Sequence, residues 1–206
     1  SISIEVPADK NTTSEQMLKI AKEMFSWIPN AHIKFPTNTA GLVAAEEAVK
    51  EDIRVNMTLC FSQEQAAAVY AATKGSHDTY VSPFIGRLDD RGENGMDLIK
   101  NILQMYKDSD HHVKVLTASV RNLDHFLYAI SLGSDIITAP FKILKEWTEK
   151  GLPIPTDFSY SPSLKMIPYQ QLDLNKNWRE FNINHELTDA GIEKFTNDWN
   201  NLLFEK

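Results

Sequence analysis

The amino-acid sequence predicts an α/β fold with a parallel sheet, and within that class a β/α barrel. Three observations carry this expectation. Short runs of apolar and β-branched residues alternate with helical stretches along most of the 206 residues, and strand–helix–strand alternation implies right-handed crossovers with helices outside the sheet. No G-x-G-x-x-G follows any of these runs, which lowers the reading as a dinucleotide-binding, doubly wound sheet. The unusual polar residues stand at the C-terminal ends of several different runs, where barrels build their active sites.

The strand-like runs are Ser1–Val6, Ala31–Phe35, Arg54–Cys60, Thr79–Phe84, Val113–Ser119 and Asp135–Thr138. Between them, Thr12-x-x-Glu15 has the form of a capping box, and Met17, Ile20, Ala21, Met24, Trp27 and Ile28 follow at helical spacing. Ser62-x-x-Gln65 opens an Ala-rich helix, QAAAVYAAT. Met96–Tyr106 and Leu123–Leu132 repeat the amphipathic rhythm, and the Met and Trp positions of these helices read as core packing. Residues 151–187 carry Pro, Tyr and Asn without periodicity and read as an ordered excursion over the barrel surface. A terminal helix over 188–205 follows, with Thr188 or Asp189 as its cap.

Composition narrows the class of protein. A chain of this length buries a sizeable single-domain core. No apolar run approaches the ~20 residues of a membrane span, and the opening SISIEVPADKN lacks the basic and apolar regions of a secretory signal. The single cysteine, Cys60, excludes an internal disulfide framework and suits a reducing compartment, so the cytoplasm is the expected location. A net charge of −7 argues against nucleic acid or an anionic membrane as partner. An anionic small molecule stays open, because a few placed arginines create a local positive field.

Lys34, in AHIKFPTNTAG, ends an apolar run. Burial of an ammonium favours the free amine, the form that attacks carbonyls; a lysine snorkelling out at a strand end is the other reading. Asn56 and Thr58 alternate in VNMTLCFS and share a face. Facing inwards they would line a cavity, with Val55, Met57 and Leu59 packed outwards on helices; a locally satisfied polar pair is the alternative. Glu5 is placed either for general acid/base work through a water or for pairing with a nearby lysine. Arg87 and Arg121 each follow a strand that ends in a serine, Ser82 and Ser119. Together they suit a phosphate, and separately they suit surface ion pairs. The histidines show no ligand spacing and Cys60 has no partner cysteine, so no metal site is expected. The G-x-S-x-G of a hydrolase elbow is also absent.

IKFPTNTAGL, VNMTLCFSQEQA, YVSPFIGRLDD and LTASVRN, in this order and on successive strands, resemble the transaldolase family, including its small bacterial members. The likeness runs from residue 1 to about residue 150, and LTDAGIEKFTNDW is similar to the family's closing helix. The resemblance implies a (β/α)8 TIM barrel of the transaldolase type, with residues 1–206 forming one domain. It implies a cofactor-free transferase of the pentose phosphate pathway. Such an enzyme moves a dihydroxyacetone unit from sedoheptulose 7-phosphate or fructose 6-phosphate to an aldose phosphate. Lys34 matches the Schiff-base lysine, Glu5 the carboxylate that works through a catalytic water, and Thr58 the hydroxyl that helps hold that water. Asn56 would sit close to the substrate, Ser82 and Phe84 would line its pocket, and Arg87, Ser119 and Arg121 would bind its phosphate. The related fructose-6-phosphate aldolases usually carry tyrosine at the position of Phe84 and glutamine at that of Glu5, so the resemblance favours transaldolase proper. An aldolase-like enzyme and a non-catalytic sugar-phosphate binder remain the alternatives.

The sequence departs from the family pattern in one respect. The strand carrying Glu5 corresponds to the third of the barrel, so the strands here correspond to three through eight. The first two β/α units, with an acid/base aspartate and a donor-binding asparagine, have no counterpart in residues 1–30. A (β/α)8 barrel takes ~250 residues, and six units leave two open strand edges. The expectation is therefore a fragment or processed form, pairing with a second copy or with another chain that supplies the missing strands.

Overall fold

The central apolar runs extend because their β-branched and aromatic residues fit a pleated surface buried on both sides, and α1, α2, α3, α5 and α6, as numbered below, each open at a capping side chain. In the computed structural model, which describes residues 1–204, the elements follow in alternation. They are β1 (Ile2–Glu5), α1 (Ser14–Phe25), β2 (Ala31–Pro36), α2 (Thr39–Lys50), β3 (Val55–Cys60), α3 (Gln63–Ala72), β4 (Thr79–Pro83), α4 (Ile85–Asp89), α5 (Gly95–Tyr106), β5 (Val113–Thr117), α6 (Leu123–Ser131), β6 (Ile136–Ile137), α7 (Phe141–Glu149) and α8 (Glu186–Phe204). All neighbouring strands pair in parallel, in the order β1-β2-β3-β4-β5-β6. Between α7 and α8 the chain has a 3-10 turn at Trp178–Glu180 and one bridge, Glu93 to Lys165, with little other regular structure.

The sheet is a curled half-barrel. Ser1 Oγ and Tyr80 OH lie 3.0 Å apart, although Ser1 directly precedes the first strand and Tyr80 is in the fourth. In a flat sheet those strands stand about 14 Å apart, so the sheet bends until its inner side chains meet. Among the described residues β1 pairs only with β2, and β6 only with β5.

Alternation sorts the side chains. Ala31, Ile33, Phe35, Val55, Met57, Val81, Val113 and Val115 belong to the main apolar core together with helix residues such as Met17, Leu42, Val69 and Ile99. Tyr80, Leu116 and Ala118 form a separate small cluster. Polar residues occupy the alternate strand positions: Glu5 pairs in register with Lys34, Lys34 with Asn56, Asn56 with Tyr80, and Tyr80 with Lys114.

Several boundaries differ from the sequence expectation. The capping box of α1 is Thr13 with Gln16, one residue beyond Thr12 and Glu15, because Thr12 is held by the Asp9 carboxylate instead. The terminal helix begins at Glu186, so neither Thr188 nor Asp189 is its cap; position 205 of the expected 188–205 helix lies outside the described residues. The expected strand Asp135–Thr138 shrinks to Ile136–Ile137, and α4 was not anticipated. Of the helix tryptophans expected to pack in the core or against the barrel, Trp27 and Trp199 are exposed by about half, at 56% and 46%, whereas Trp178, in the excursion, is buried.

Thr188 has a different task, as part of the joint that seats α8 on the sheet. Its hydroxyl donates to Leu59 O at 2.9 Å and accepts from Gln65 Nε2 at 2.8 Å. Gln65 is fully buried, also reaches Thr37 O and Ile183 O, and accepts the Phe61 N–H. Gly191 of α8 meets the Leu59 side chain so closely that an added Cβ would stand 2.6 Å from Leu59 Cδ2. Leu59 itself has φ +58° at an irregularity in β3, a conformation costing a non-glycine residue about 1–2 kcal/mol. It persists because α8 holds it twice, through the Thr188 hydroxyl on its carbonyl and Gly191 against its side chain.

At the N-terminal end of the strands, His32 Nε2 lies 3.1 Å from Asp78, which also takes Lys114 Nζ at 2.7 Å. Tyr80 stacks on the imidazole at 4.0 Å between centroids. Burial holds His32 below the ordinary imidazole range and outweighs the attraction of Asp78.

Two outcomes follow from these contacts. Gln65→Ala strands buried polar groups of three segments and is expected to cost ~2–4 kcal/mol, read as a lower urea midpoint with α8 amides exchanging first. For His32, a depressed value means that only the unfolded chain takes up a proton just below pH 6.5. Its contribution is complete above that pH and is lost as the pH falls through the folded value. Urea midpoints should therefore drop between pH 7 and 5, and His32→Gln should flatten that slope, leaving the part due to His185, which burial depresses likewise.

Candidate active site

Lys34 stands at the C-terminal half of β2, opposite Glu5 of β1. In-register parallel neighbours project to the same side, and here the two meet: Lys34 Nζ is 2.7 Å from Glu5 Oε2, with the side chains 21% and 33% exposed. The ammonium is thus partly desolvated but paired directly with a carboxylate. Of the two readings of Glu5, the pairing with a lysine is realised, and the lysine is Lys34 itself.

One strand further, Thr58 is fully buried, and its hydroxyl has no hydrogen-bond partner among the described residues. Its carbonyl is committed, accepting from Thr37 N at 2.8 Å and Thr37 Oγ1 at 2.7 Å. An unpaired buried hydroxyl is costly, and only it and His32 Nδ1 have this status among the described residues. Asn56 and Thr58 do not pair with each other. Asn56 donates to Ser3 Oγ at 2.9 Å and accepts from Ser82 Oγ at 2.6 Å, so β1, β3 and β4 are linked across their polar positions. Ser3 was not singled out from the sequence. The signal was its place two residues before Glu5, on the same face. The residues expected to pack outwards, Val55, Met57 and Leu59, are all in the main core, Leu59 meeting Gly191 of α8 there.

The arginines form a second group. Phe84 caps α4 and packs near the rings of Phe61 and Phe195, at 6.0 and 6.3 Å between centroids. Arg87, half-buried, sits 5.9 Å from the Phe195 ring and has no ion pair among the described residues. Ser119 has φ +62°, and its carbonyl accepts the Gly86 N–H at 3.2 Å. The Arg121 side chain lies across Gly86, where a Cβ would stand 2.3 Å from Arg121 Nε. Its Nη2 donates to Asp90 at 2.8 Å, and half of the side chain is exposed. Ser119 and Arg121 therefore meet at Gly86, with Arg121 held in an ion pair, while the guanidinium of Arg87, the next residue, lies over the Phe195 ring. Arg87 does not leave a strand directly, as expected, but belongs to α4.

A cleft of about 750 Å³ opens along β1, lined by Ser3, Glu5, Pro36, Leu59, Phe195 and Trp199 among others. It takes in Glu5 but neither Lys34 nor the arginines. Burial pushes the Cys60 thiol up to about 12, which leaves it a packing residue and not a nucleophile. The described residues contain no group of three or more His, Cys, Asp or Glu placed to hold a metal. No helix among them is long and apolar enough to cross a membrane.

The sequence matches the family described as Transaldolase/Fructose-6-phosphate aldolase over residues 1–206. A "Probable transaldolase" of Roseiflexus sp. (strain RS-1) is 34% identical over 199 residues, covering 95% of this chain and 74% of that protein. Proteins of the same name from Caulobacter vibrioides (strain NA1000 / CB15N) and Caldicellulosiruptor saccharolyticus are each 37% identical, over 96% of this chain and 72% of theirs. With an all-parallel half-barrel and a family match over its whole length, this chain belongs to the transaldolase/fructose-6-phosphate aldolase family.

Proposed function

We propose that the protein is a transaldolase acting through a Schiff base on Lys34, with a ketose phosphate as donor and an aldose phosphate as acceptor. The observation that carries this reading is the 2.7 Å contact between Lys34 Nζ and Glu5 at adjacent strand ends. A lysine that only snorkels carries its ammonium out into water, whereas the Lys34 side chain is 21% exposed and turned onto a carboxylate. A nucleophilic lysine needs a group beside it to accept its proton.

In this reading Glu5 takes a proton from Lys34, and the free amine attacks the C2 ketone of the donor. Loss of one water gives a protonated imine, which accepts the electron pair released when the C3–C4 bond breaks. The aldose phosphate leaves, and the resulting enamine attacks the acceptor aldehyde. A second water, held by Glu5 and the otherwise unpaired Thr58 hydroxyl, hydrolyses the imine and restores the lysine. The water lost in imine formation is thus regained in hydrolysis. Asn56, fixed by Ser3 and Ser82, supplies polar contact to the donor, and Phe84 shapes the pocket. Arg87, Ser119 and Arg121 take the phosphate terminus. The residues described do not supply the base for the C4 hydroxyl. The reading assigns it to an eight-unit barrel of which this chain carries strands three to eight, with the open edges of β1 and β6 closed by the remaining units or by a second chain. The cytoplasm, where sugar phosphates are used, is the proposed location.

The aldolase reading differs at two positions, Glu5 and Phe84, where the resemblance expects glutamine and tyrosine.

Borohydride reduction with fructose 6-phosphate should leave a stable adduct on Lys34 by peptide mass spectrometry. Lys34→Ala should abolish it, and Glu5→Gln should slow its formation by ~10²–10⁴. An unmodified Lys34 would end the proposal. Activity strictly dependent on erythrose 4-phosphate is expected; cleavage of fructose 6-phosphate without an acceptor would move the assignment to the aldolase.

A further inference from the structure

We infer that Asp89 and His125 are positioning residues for the anion-binding end of the site, holding the loop of Ser119–Asn122 against α4 so that Arg121 and Ser119 are set at Gly86, next to Arg87 in the chain. The inference rests on the sugar-phosphate reading above and adds to it two residues that neither the motifs nor the resemblance assigned.

The geometry is a chain of hydrogen bonds from helix to loop. His125, in the first turn of α6, is 1% exposed. Its Nδ1 accepts the backbone N–H of Arg121 at 3.4 Å, so Nε2 carries the ring proton and donates it to Asp89 Oδ2 at 2.9 Å. The other oxygen of Asp89 accepts the Gly95 N–H at 2.9 Å, at the start of α5. The His125 backbone N–H is bound by Asn122, whose side chain caps α6. One imidazole therefore connects the loop that bears Ser119 and Arg121 to the end of the helix that bears Gly86 and Arg87.

Two features give this chain a task beyond packing. Ser119 sits at φ +62°, an unfavourable conformation for serine that persists only when its surroundings over-determine it. What holds it is the Gly86 N–H to its carbonyl, the His125 contact to Arg121 N–H, and the Asp90 ion pair on the Arg121 guanidinium. The ion pair is exposed and weak, and a phosphate competing for the guanidinium would displace Asp90. With that grip released, the buried Asp89–His125 arm is what still fixes the main chain under Arg121. Secondly, Tyr160, from the excursion after α7, packs edge-on against the His125 ring at 5.7 Å and stacks on Tyr128 at 5.0 Å. Its ring shields the His125–Asp89 bond from water and so strengthens it.

The test is the Schiff-base trap run with two ketones, fructose 6-phosphate and dihydroxyacetone, the second lacking any phosphate. His125→Ala should raise the half-saturating concentration of fructose 6-phosphate about tenfold, with trapping by dihydroxyacetone changed less than about twofold. Asp89→Asn should act in the same direction. His125→Gln, whose amide still donates to Asp89, should recover part of the loss, with thermal unfolding showing that each variant is folded. Equal losses with both ketones, or no loss with either, would overturn the inference. If Arg121→Ala weakens fructose 6-phosphate while the His125 and Asp89 variants do not, the inference falls and the sugar-phosphate reading stands. If neither the native chain nor any variant forms the fructose 6-phosphate adduct, the reading falls and the inference with it.

Discussion

The register of four parallel strands is the constraint on which the rest depends. Ile4 pairs with Ile33 and Glu5 with Lys34; Lys34 then pairs with Asn56, and Asn56 with Tyr80. A slip of one residue between β1 and β2 would turn every side chain of one strand to the opposite face. It would drive Glu5 and Lys34 apart and press polar groups into the helix layer. The apolar residues oppose that slip: Ile4 packs against the core and Val6, just after the strand, is buried in it, while Ile33, Phe35, Val55 and Met57 of β2 and β3 are fully buried there. The site's ion pair is thus positioned by hydrophobic burial on the far side of the sheet. Burial is worth roughly 1.5–3 kcal/mol per large side chain, far more than an exposed ion pair contributes.

A second constraint acts at the C-terminal end of β3. The irregularity at Leu59 ends the regular alternation of the strand, and three residues of two helices answer it: Thr188 and Gly191 of α8, with Gln65 of α3 holding Thr188. This joint brings α8 over the strand ends, so that Phe195 reaches Phe84 and Arg87, and Thr196 donates to Ala8 O. The cleft beside Glu5 is lined on one side by α8 residues, and its breadth depends on where the joint seats that helix. The exposed faces of Trp27 and Trp199 flank the same opening.

Chemistry and anion binding are held by different means. The Lys34–Glu5 pair rests on sheet register, and the Asn56 link to Ser3 and Ser82 stiffens the strands around it. The Arg121 end rests on loop contacts: a glycine small enough to let the side chain lie across it, a strained serine, and the buried Asp89–His125 pair. Strand ends are rigid and loops adapt, so the arginine end depends on the buried pair to fix its main chain, and only the half-exposed Arg121 side chain is left free to move.

The sequence by itself determined the α/β class, the number and order of the strands, and most of the helices. These follow from local periodicity and from side chains acting on their own backbone, as Ser62 does for α3. It also pointed to Lys34, Glu5, Thr58 and the two arginines, because polar residues at the ends of apolar runs are conspicuous along the chain. Local signals erred by small steps: Thr12 competes with Thr13 for the same cap, and Thr188 has the chemistry of a cap but spends it on Leu59. Only the tertiary structure decided that Glu5 is the partner of Lys34, that Asn56 looks to Ser3 and Ser82 and not to Thr58, that Arg121 is held by Asp90, and that His125 joins Asp89 across the chain. Each of these joins residues that are far apart in sequence. Which of several nearby polar groups meet depends on strand register and on the curl of the sheet, and both are set by how the whole apolar layer packs.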